Sequence, residues 1–259
     1  MTAIAIKTLF SVAATVLISI TASGKGFHLA PTEPLRSTAS VYEVKGRQGI
    51  MIRQRLRFGP YTTTSVRRSA IQKWTGVTGV PGVFAAEHMQ GRQSIRFSLT
   101  DGTDTLHAET VSRVKATDLI IGDRPNSVPN ILLDIMATGT ARQQNNFSGS
   151  FAVPGTNQPW ELFLDNTAAQ LCRNEPAGFL RCDSAWYTIV PVWEVSRKGR
   201  LAALPFGAAG LEFRDAQGNA CAAVSLIDDG EVFIGEVSAR EKLLLSAACT
   251  ALLLQSNID

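Results

Sequence analysis

The end of the chain constrains the fold most strongly. Residues 238–259, SAREKLLLSAACTALLLQSNID, predict one helix after a long run of strand signals. Ser238 and Glu241 have the spacing of a capping box, in which each residue satisfies a backbone N–H near the other. The helix is therefore expected to begin near Ala239 and to span residues 239–255.

This helix has no polar face. Between Leu243 and Leu254 only Ser246 and Thr250 are polar, and both hydroxyls can bond back to the helix backbone. A helix that is apolar all round must be enclosed by protein or by lipid. A bilayer span needs roughly twenty apolar residues, and this stretch is much shorter. The pattern therefore favours a helix buried inside a β-rich core.

Strand signals dominate the remaining sequence. Short alternating or apolar segments are separated by turn dipeptides such as Asp101-Gly102, Lys198-Gly199 and Asp229-Gly230. They predict strands at Ile50–Phe58, Val66–Trp74, Ser94–Leu99, Thr105–Val114, Asn130–Ala137, Asn146–Val153, Trp160–Leu164, Trp186–Val195, Gly210–Arg214, Ala220–Leu226 and Val232–Ile234.

About 11–12 short strands without a linker predict one mainly β domain at residues 41–259. A closed barrel removes the exposed edges of a long open sheet. We therefore expect a single antiparallel β-barrel-like domain with one buried, apolar C-terminal helix.

The first residues resemble a secretory signal. Lys7 precedes an apolar stretch at Leu9–Ile20, and Ala22-Ser23-Gly24 supplies small residues for cleavage. Residues 1–24 are thus expected to be a signal peptide; an uncleaved N-terminal anchor is the alternative. Residues 25–40 are expected to form an extended lead-in. The protein would then be exported, periplasmic or extracellular, with envelope association possible in either compartment and no transmembrane span after cleavage.

Charge is distributed unevenly along the chain. Residues 31–142 carry a net charge of +6, whereas residues 143–259 carry −5. This asymmetry favours an anionic partner for the first half. No DNA- or RNA-binding motif accompanies it, so nucleic acid is not an expected partner.

The basic residues of the first half include a period-two stripe. Side chains at this spacing project from one face of a strand, and neighbouring cations could join them across a hairpin at Gly59-Pro60. The candidates for binding anionic lipid or envelope polysaccharide are Arg53, Arg55, Arg57, Arg67 and Arg68. The alternative is a solvated outer face whose arginines only protect a sheet edge.

Four cysteines in an exported chain raise the question of disulfides. Cys172 and Cys182 flank a turn-like Glu175-Pro176-Ala177-Gly178 and would face each other if a hairpin formed there. We therefore expect that Cys172 and Cys182 form a bridge if their strands pair. Cys221 and Cys249 could form a second bridge, or could remain buried thiols that pack as small hydrophobic groups.

The end of the chain resembles the tubby-like superfamily, which includes the phospholipid scramblases. The resemblance lies in the strand pair LEFRDAQGNACAAVSL (211–226), the strand GEVFIGE (230–236) and the apolar terminal helix; SVYEVKGRQGIMIRQRLRF (40–58) is similar to an opening strand pair. It implies a barrel of roughly twelve strands around a hydrophobic helix and association with lipid or membrane surfaces. The signal-like N-terminus departs from the cytosolic members. The chain is also similar to exported bacterial proteins that carry no assigned activity.

Sequence signatures of catalysis are absent. The chain has no G-x-S-x-G elbow, phosphate loop, H-E-x-x-H or C-x-x-C motif. Its histidines, His28, His88 and His107, are widely spaced. We therefore expect no cofactor, no metal site and no catalytic residue, although a Ser-His-Asp site assembled only in space would leave no such signature.

These patterns predict an exported, non-enzymatic β-barrel module that binds anionic lipid or envelope polymer through a basic strand face. The alternative is a structural or interaction protein of the cell envelope without a small ligand. A hydrolase with a non-sequential site is a third interpretation.

Overall fold

The computed structural model describes residues 26–47, 54–80, 84–121, 144–173, 175–183 and 185–255. The expected signal peptide, Arg53 and the strand predicted at residues 130–137 lie outside the described residues. Within these ranges the protein is mainly β, with sixteen strands and three helices.

The first part of the chain forms β1 (His28–Leu29), α1 (Leu35–Thr38), β2 (Ser40–Glu43), β3 (Arg57–Phe58), β4 (Tyr61–Arg68), β5 (Gln72–Val80), β6 (Phe84–Thr100) and β7 (Thr105–Ile121). The second part forms β8 (Gln144–Ala152), β9 (Trp160–Asp165), α2 (Asn166–Leu171), β10 (Gly178–Cys182), β11 (Ala185–Val192), β12 (Glu194–Arg197), β13 (Arg200–Ala203), β14 (Gly210–Arg214), β15 (Ala220–Ser225), β16 (Glu231–Ile234) and α3 (Ala239–Leu254).

One antiparallel sheet forms a nearly closed barrel. Its strand order is β2-β16-β15-β14-β11-β10-β9-β8-β7-β6-β4-β3, and β5 pairs with β6 beside this path. The two ends of the path meet where Lys45 and Arg57 exchange backbone hydrogen bonds of 2.9 and 3.0 Å. The expected mainly β, barrel-like fold is confirmed.

The helix α3 fills this barrel. Every residue from Leu243 to Leu254 is buried, and Leu245 and Ala248 are fully inaccessible. The capping box at Ser238 forms as expected, and Thr250 Oγ1 donates to the Ser246 carbonyl at 2.8 Å. Aromatic and aliphatic side chains of the strands surround the helix, among them Phe58, Leu106, Phe147, Phe151, Phe213 and Val224. None of the described helices has the length and apolar character that a membrane span requires.

Three strand predictions need correction. The segment Val66–Trp74 belongs to two strands, β4 and β5, which pair in turn with different parts of β6. Trp186–Val195 divides after Val192 because β12 leaves the barrel for a small second sheet, β1-β12-β13. In Ile50–Phe58, only Arg57–Phe58 is a strand within the described part.

The lead-in is more ordered than an extended segment. Its residues form β1 and α1 and cover the outer face of β14–β16 with a second apolar cluster, which contains Leu29, Leu35, Val192, Val195, Ala209, Ala223 and Phe233. Glu212, a fully buried carboxylate, anchors this layer: it accepts bonds from Thr32 N at 2.8 Å, Thr32 Oγ1 at 2.9 Å and Arg214 Nε at 2.7 Å. A buried carboxylate requires such partners.

Candidate functional site

The predicted basic stripe is spread over the barrel wall rather than gathered on it. Arg55 and Arg57 are exposed while the residue between them, Leu56, is buried, as the alternation predicts. Arg67 and Arg68 are consecutive residues of β4, so they project from opposite faces. Arg68 turns toward Gln54 and donates to its Oε1 at 2.8 Å, and partial burial lowers the pKa of Arg68. The described members of the stripe therefore do not form one common site.

Two other arginines on the outer wall have acidic partners. Arg96 lies 3.0 Å from Glu109 on the neighbouring strand β7, and Arg181 lies 3.2 Å from Glu161 on β9. Exposed pairs of this kind contribute little to stability. They do neutralise the local field, so these parts of the wall are poor sites for an anion.

A different group of cations lies together on β5, β6 and β7. In the strand register Gln72, Arg92 and Arg113 are directly opposite one another, as are Trp74, Gln90 and Lys115. Opposed residues of paired strands project to the same side. These six residues, together with Ile71, Lys73, Gly91 and Val114, line a pocket of about 580 Å³. We call this surface the Trp74 patch.

The Trp74 patch is positively charged, and its lining residues include no acid. Its lining contains Lys73, Arg92, Arg113 and Lys115 but no aspartate or glutamate. Arg92, Arg113 and Lys115 are exposed and take part in none of the ion pairs formed by the described residues. Like charges on adjacent strands repel one another. An anion placed among them would remove that repulsion and gain charge-assisted hydrogen bonds.

The indole ring of Trp74 lies against the backbone of its own strand at Gly76. Trp74 is 57% exposed, and its indole lies over Gly76, where a Cβ atom would be only 2.5 Å from the ring. The missing side chain at Gly76 therefore lets the indole lie flat on the strand. An exposed tryptophan in this position offers an apolar surface directly beside the cations.

The patch lies on a three-stranded ribbon. Within the described residues, β7 pairs with β8 as far as Lys115 opposite Gln144, and β5, β6 and β7 are paired with one another as far as Val80, Phe84 and Ile121. Within the described part, β5 has β6 as its only strand partner.

The ribbon exposes apolar side chains on both faces. Val77 is 67% exposed and lies three residues after Trp74, so it projects from the opposite face of β5. Ile71, at the start of the same segment, is 49% exposed. Isolated exposed hydrophobic residues are ordinary, but a group beside unpaired cations marks an interaction surface.

The histidines make contacts of an ordinary kind. His88 lies between Thr78 and Thr117, and its two ring nitrogens are 2.9 and 3.1 Å from their hydroxyls. His107 Nδ1 lies 2.8 Å from Ser98 Oγ on the exposed wall, and no carboxylate of the described residues bonds to its ring. A serine and a histidine without an orienting acid do not make a complete triad. No cluster of metal-binding side chains occurs among the described residues.

The structure does not bring Cys172 and Cys182 together. Cys182 is the last residue of β10, which pairs with β11 beside Tyr187, and Tyr187 contacts the first turn of α3. Cys172 follows α2, which lies beside Leu252 near the other end of α3. Because α2 ends at Leu171 and no strand follows it before the predicted turn in the described residues, the expected hairpin does not form. All four cysteines are free thiols, and burial raises the pKa of Cys221 to about 11 and that of Cys249 further.

No family model matches this chain, and neither the curated proteins nor the solved structures contain a match. The resemblance to the tubby-like superfamily therefore stays a prediction.

Proposed function

We propose that this protein is an exported, non-enzymatic β-barrel module that binds the surface of an anionic lipid bilayer through the Trp74 patch. The observation that supports the proposal is the grouping of Arg92, Arg113 and Lys115 beside the exposed Trp74, in a pocket whose lining contains no aspartate or glutamate. Each basic residue close to an anionic membrane contributes about 1 kcal/mol to binding.

A lipid surface explains the apolar residues better than a soluble polymer does. An anionic polysaccharide lying on the sheet would cover Trp74 and leave Val77 on the opposite face in water. Headgroups on both sides of β5 would cover Trp74 and Val77 at once, although the strand register sets Glu87 and Asp118 in line with Val77. Tryptophan favours this region because its ring is apolar and its N–H is polar.

The outer edge of β5 limits the depth of this contact. Backbone N–H and C=O groups without partners cost several kcal/mol each in hydrocarbon, and the outer edge of β5 has no strand partner within the described ranges. Water and headgroups can bond to that edge at the interface. The proposed attachment is therefore peripheral.

Vesicle binding tests this proposal. The full chain lacking residues 1–24 would be mixed with phosphatidylcholine vesicles that contain or lack phosphatidylglycerol, and bound protein would be measured by co-sedimentation. We expect binding only to the anionic vesicles. It should weaken between 0.1 M and 1 M salt because the screening length falls from about 10 Å to about 3 Å.

A charge-matched pair of variants locates the surface. Arg92→Gln, Arg113→Gln and Lys115→Gln together should weaken binding by at least about tenfold, given about 1 kcal/mol per cation. The control, Arg96→Gln with Arg173→Gln and Arg181→Gln, removes the same charge from ion-paired positions elsewhere. Equal losses in the two triple variants would contradict a specific site. Binding to a soluble anionic polysaccharide but not to vesicles would show that the ligand is a polymer and not a lipid surface.

A further inference from the structure

A second cavity opens at the end of the barrel where α3 ends. It has a volume of about 620 Å³ and is lined by Arg47, Asn145, Asn166, Thr167, Gln170, Leu171, Ala208, Leu226, Leu252 and Gln255. Pockets of this size are typical of sites for small ligands. None of its lining residues belongs to the Trp74 patch.

Carboxamides dominate the polar lining of this cavity. Asn145, Asn166, Gln170 and Gln255 each carry a carbonyl that accepts and an NH₂ that donates two hydrogen bonds. Asn166 Nδ2 donates to Asn145 Oδ1 at 2.9 Å, which orients the two side chains against each other. No aspartate or glutamate belongs to the lining. Such a surface is suited to a ligand with several hydroxyl groups, because a hydroxyl also donates and accepts.

Arg47 supplies the only formal charge in the lining. Its Nη1 donates to the carbonyls of Leu226 at 3.1 Å and Asp228 at 2.8 Å, which holds the guanidinium in place. Its Nε and Nη2 make no hydrogen bond to a described residue, and no described carboxylate is within ion-pairing distance. Partial burial lowers the pKa of Arg47, and the Asp229 carboxylate opposes this shift in part; a bound anionic group would compensate the desolvation further.

The position of Gln170 depends on a close approach to Gly207. Gly207 has a φ of +71°, and a Cβ atom there would be 2.3 Å from Gln170 Oε1. Glycine adopts this backbone conformation without strain. It also leaves room for the carboxamide beside the backbone. The local chain is therefore shaped to hold this side chain at the cavity wall.

We propose that the cavity binds a small acidic sugar, with its carboxylate on Arg47 and its hydroxyls on the carboxamides. Leu226 and Leu252 would contact the C–H groups of the ring. Inorganic phosphate would leave most of the carboxamide donors and acceptors without a bond to the ligand. A fatty acid would cover the groups that the Asn166–Asn145 bond leaves free, which costs free energy for each lost hydrogen bond.

A direct titration tests the ligand class. The chain lacking residues 1–24 would be titrated with glucuronate, glucose and inorganic phosphate, and binding followed by calorimetry and saturation-transfer NMR. Glucuronate should bind at least about tenfold more tightly than glucose, since only glucuronate can form the charge-assisted pair with Arg47. Phosphate should not displace it.

Two variants place the binding in this cavity. Ala208→Phe should fill the cavity and abolish glucuronate binding, whereas Ala202→Phe makes the same change at an exposed position on β13 and should leave binding intact. Gln170→Leu removes one carboxamide with little change in volume and should weaken binding several-fold. Thermal melting of each variant would show that it is folded.

Three results would overturn the proposal. They are the absence of saturable glucuronate binding up to about 10 mM, equal affinity for glucose and glucuronate, and unchanged affinity in folded Gln170→Leu and Ala208→Phe proteins. Vesicle binding measured on the same variants keeps this site separate from the Trp74 patch. It should not change, because none of the substituted residues lies in that patch.

Discussion

The phenol of Tyr187 donates a hydrogen bond of 2.8 Å to Oε1 of Glu241, which ties β11 in the barrel wall to the first turn of α3. The other carboxylate oxygen accepts from the N–H of Ser238 at 3.0 Å and from its hydroxyl at 2.6 Å. One carboxylate therefore caps the buried helix and also attaches it to the wall. Burial, followed by the bond to Glu241, raises the pKa of Tyr187.

The hydrogen bond from Tyr187 should contribute measurably to stability. We expect Tyr187→Phe to lower the free energy of unfolding by about 1–3 kcal/mol, the range for a bond to a charged group. For a domain of this size each kcal/mol lowers the melting temperature by about 2–4 °C. Tyr42→Phe is the matched control, because its hydroxyl makes no hydrogen bond to a described residue. Equal melting temperatures for Tyr187→Phe and wild type would contradict this role.

Stability should depend on the ionisation of Glu241. Hydrogen bonds from Ser238 and then Tyr187 hold the pKa of Glu241 below its ordinary value of 4.5. Because the folded state favours the charged form, this contribution is complete above pH 4.5 and is lost as the pH falls through the lowered pKa. Denaturant unfolding between pH 3 and 6 would measure it. Glu241→Gln should have a lower free energy of unfolding near neutral pH, and that free energy should fall less steeply as the pH is lowered. An identical pH dependence in wild type and variant would show that other carboxylates cause the loss of stability in acid.

The barrel should tolerate no cavity beside α3. Leu245 is fully buried in the centre of the helix, and Leu245→Ala is expected to lower the free energy of unfolding by about 2–5 kcal/mol. Leu245→Asp would bury an unpaired carboxylate and should prevent folding. Leu201→Ala is the control, because Leu201 is exposed on β13 and its loss should cost less than about 0.5 kcal/mol. Urea unfolding with equal midpoints for Leu245→Ala and Leu201→Ala would exclude an enclosed helix.

The four thiols should react at different rates. Cys172 and Cys182 are partly exposed, whereas burial and a raised pKa protect Cys249. In native protein, iodoacetamide at pH 8 should label Cys172 and Cys182 first, Cys221 slowly and Cys249 only after unfolding, because the thiolate is the reactive form. Peptide mapping by mass spectrometry would determine the order in which the cysteines are labelled. A peptide in which Cys172 and Cys182 are joined would restore the disulfide prediction and contradict the arrangement described above.

Much of the fold was accessible from local patterns. The capping box at Ser238 and the absence of a polar face after it predicted an enclosed helix, and the structure confirms it. Turn dipeptides and alternating strands predicted the barrel. Strand boundaries were less accurate where a strand changes its partner, as at Ser69–Ile71 and after Val192, because partner choice leaves no local signature.

The sequence and the structure point to different candidate residues for a related reason. The arginines at 53, 55 and 57 attract notice because they are close in sequence, whereas the Trp74 patch draws on positions 73 to 115. The only local sequence feature that could have indicated the Trp74 patch was the aromatic residue Trp74 directly after the basic residue Lys73. Only the register that sets Gln72 against Arg92 and Arg113 brings the cations together. The same holds for Cys172 and Cys182, which are close along the chain and separated by the length of α3.

The sequence by itself determined that α3 is buried and that strands surround it, because helical capping and the exclusion of apolar side chains from water act on residues near one another. The tertiary structure alone decided which charges remain without partners. Arg96 and Arg181 meet acids on adjacent strands, whereas Arg92 and Arg113 lie against each other. Strand register and barrel closure depend on contacts between distant parts of the chain, and these contacts place Arg47 over its carboxamide cavity.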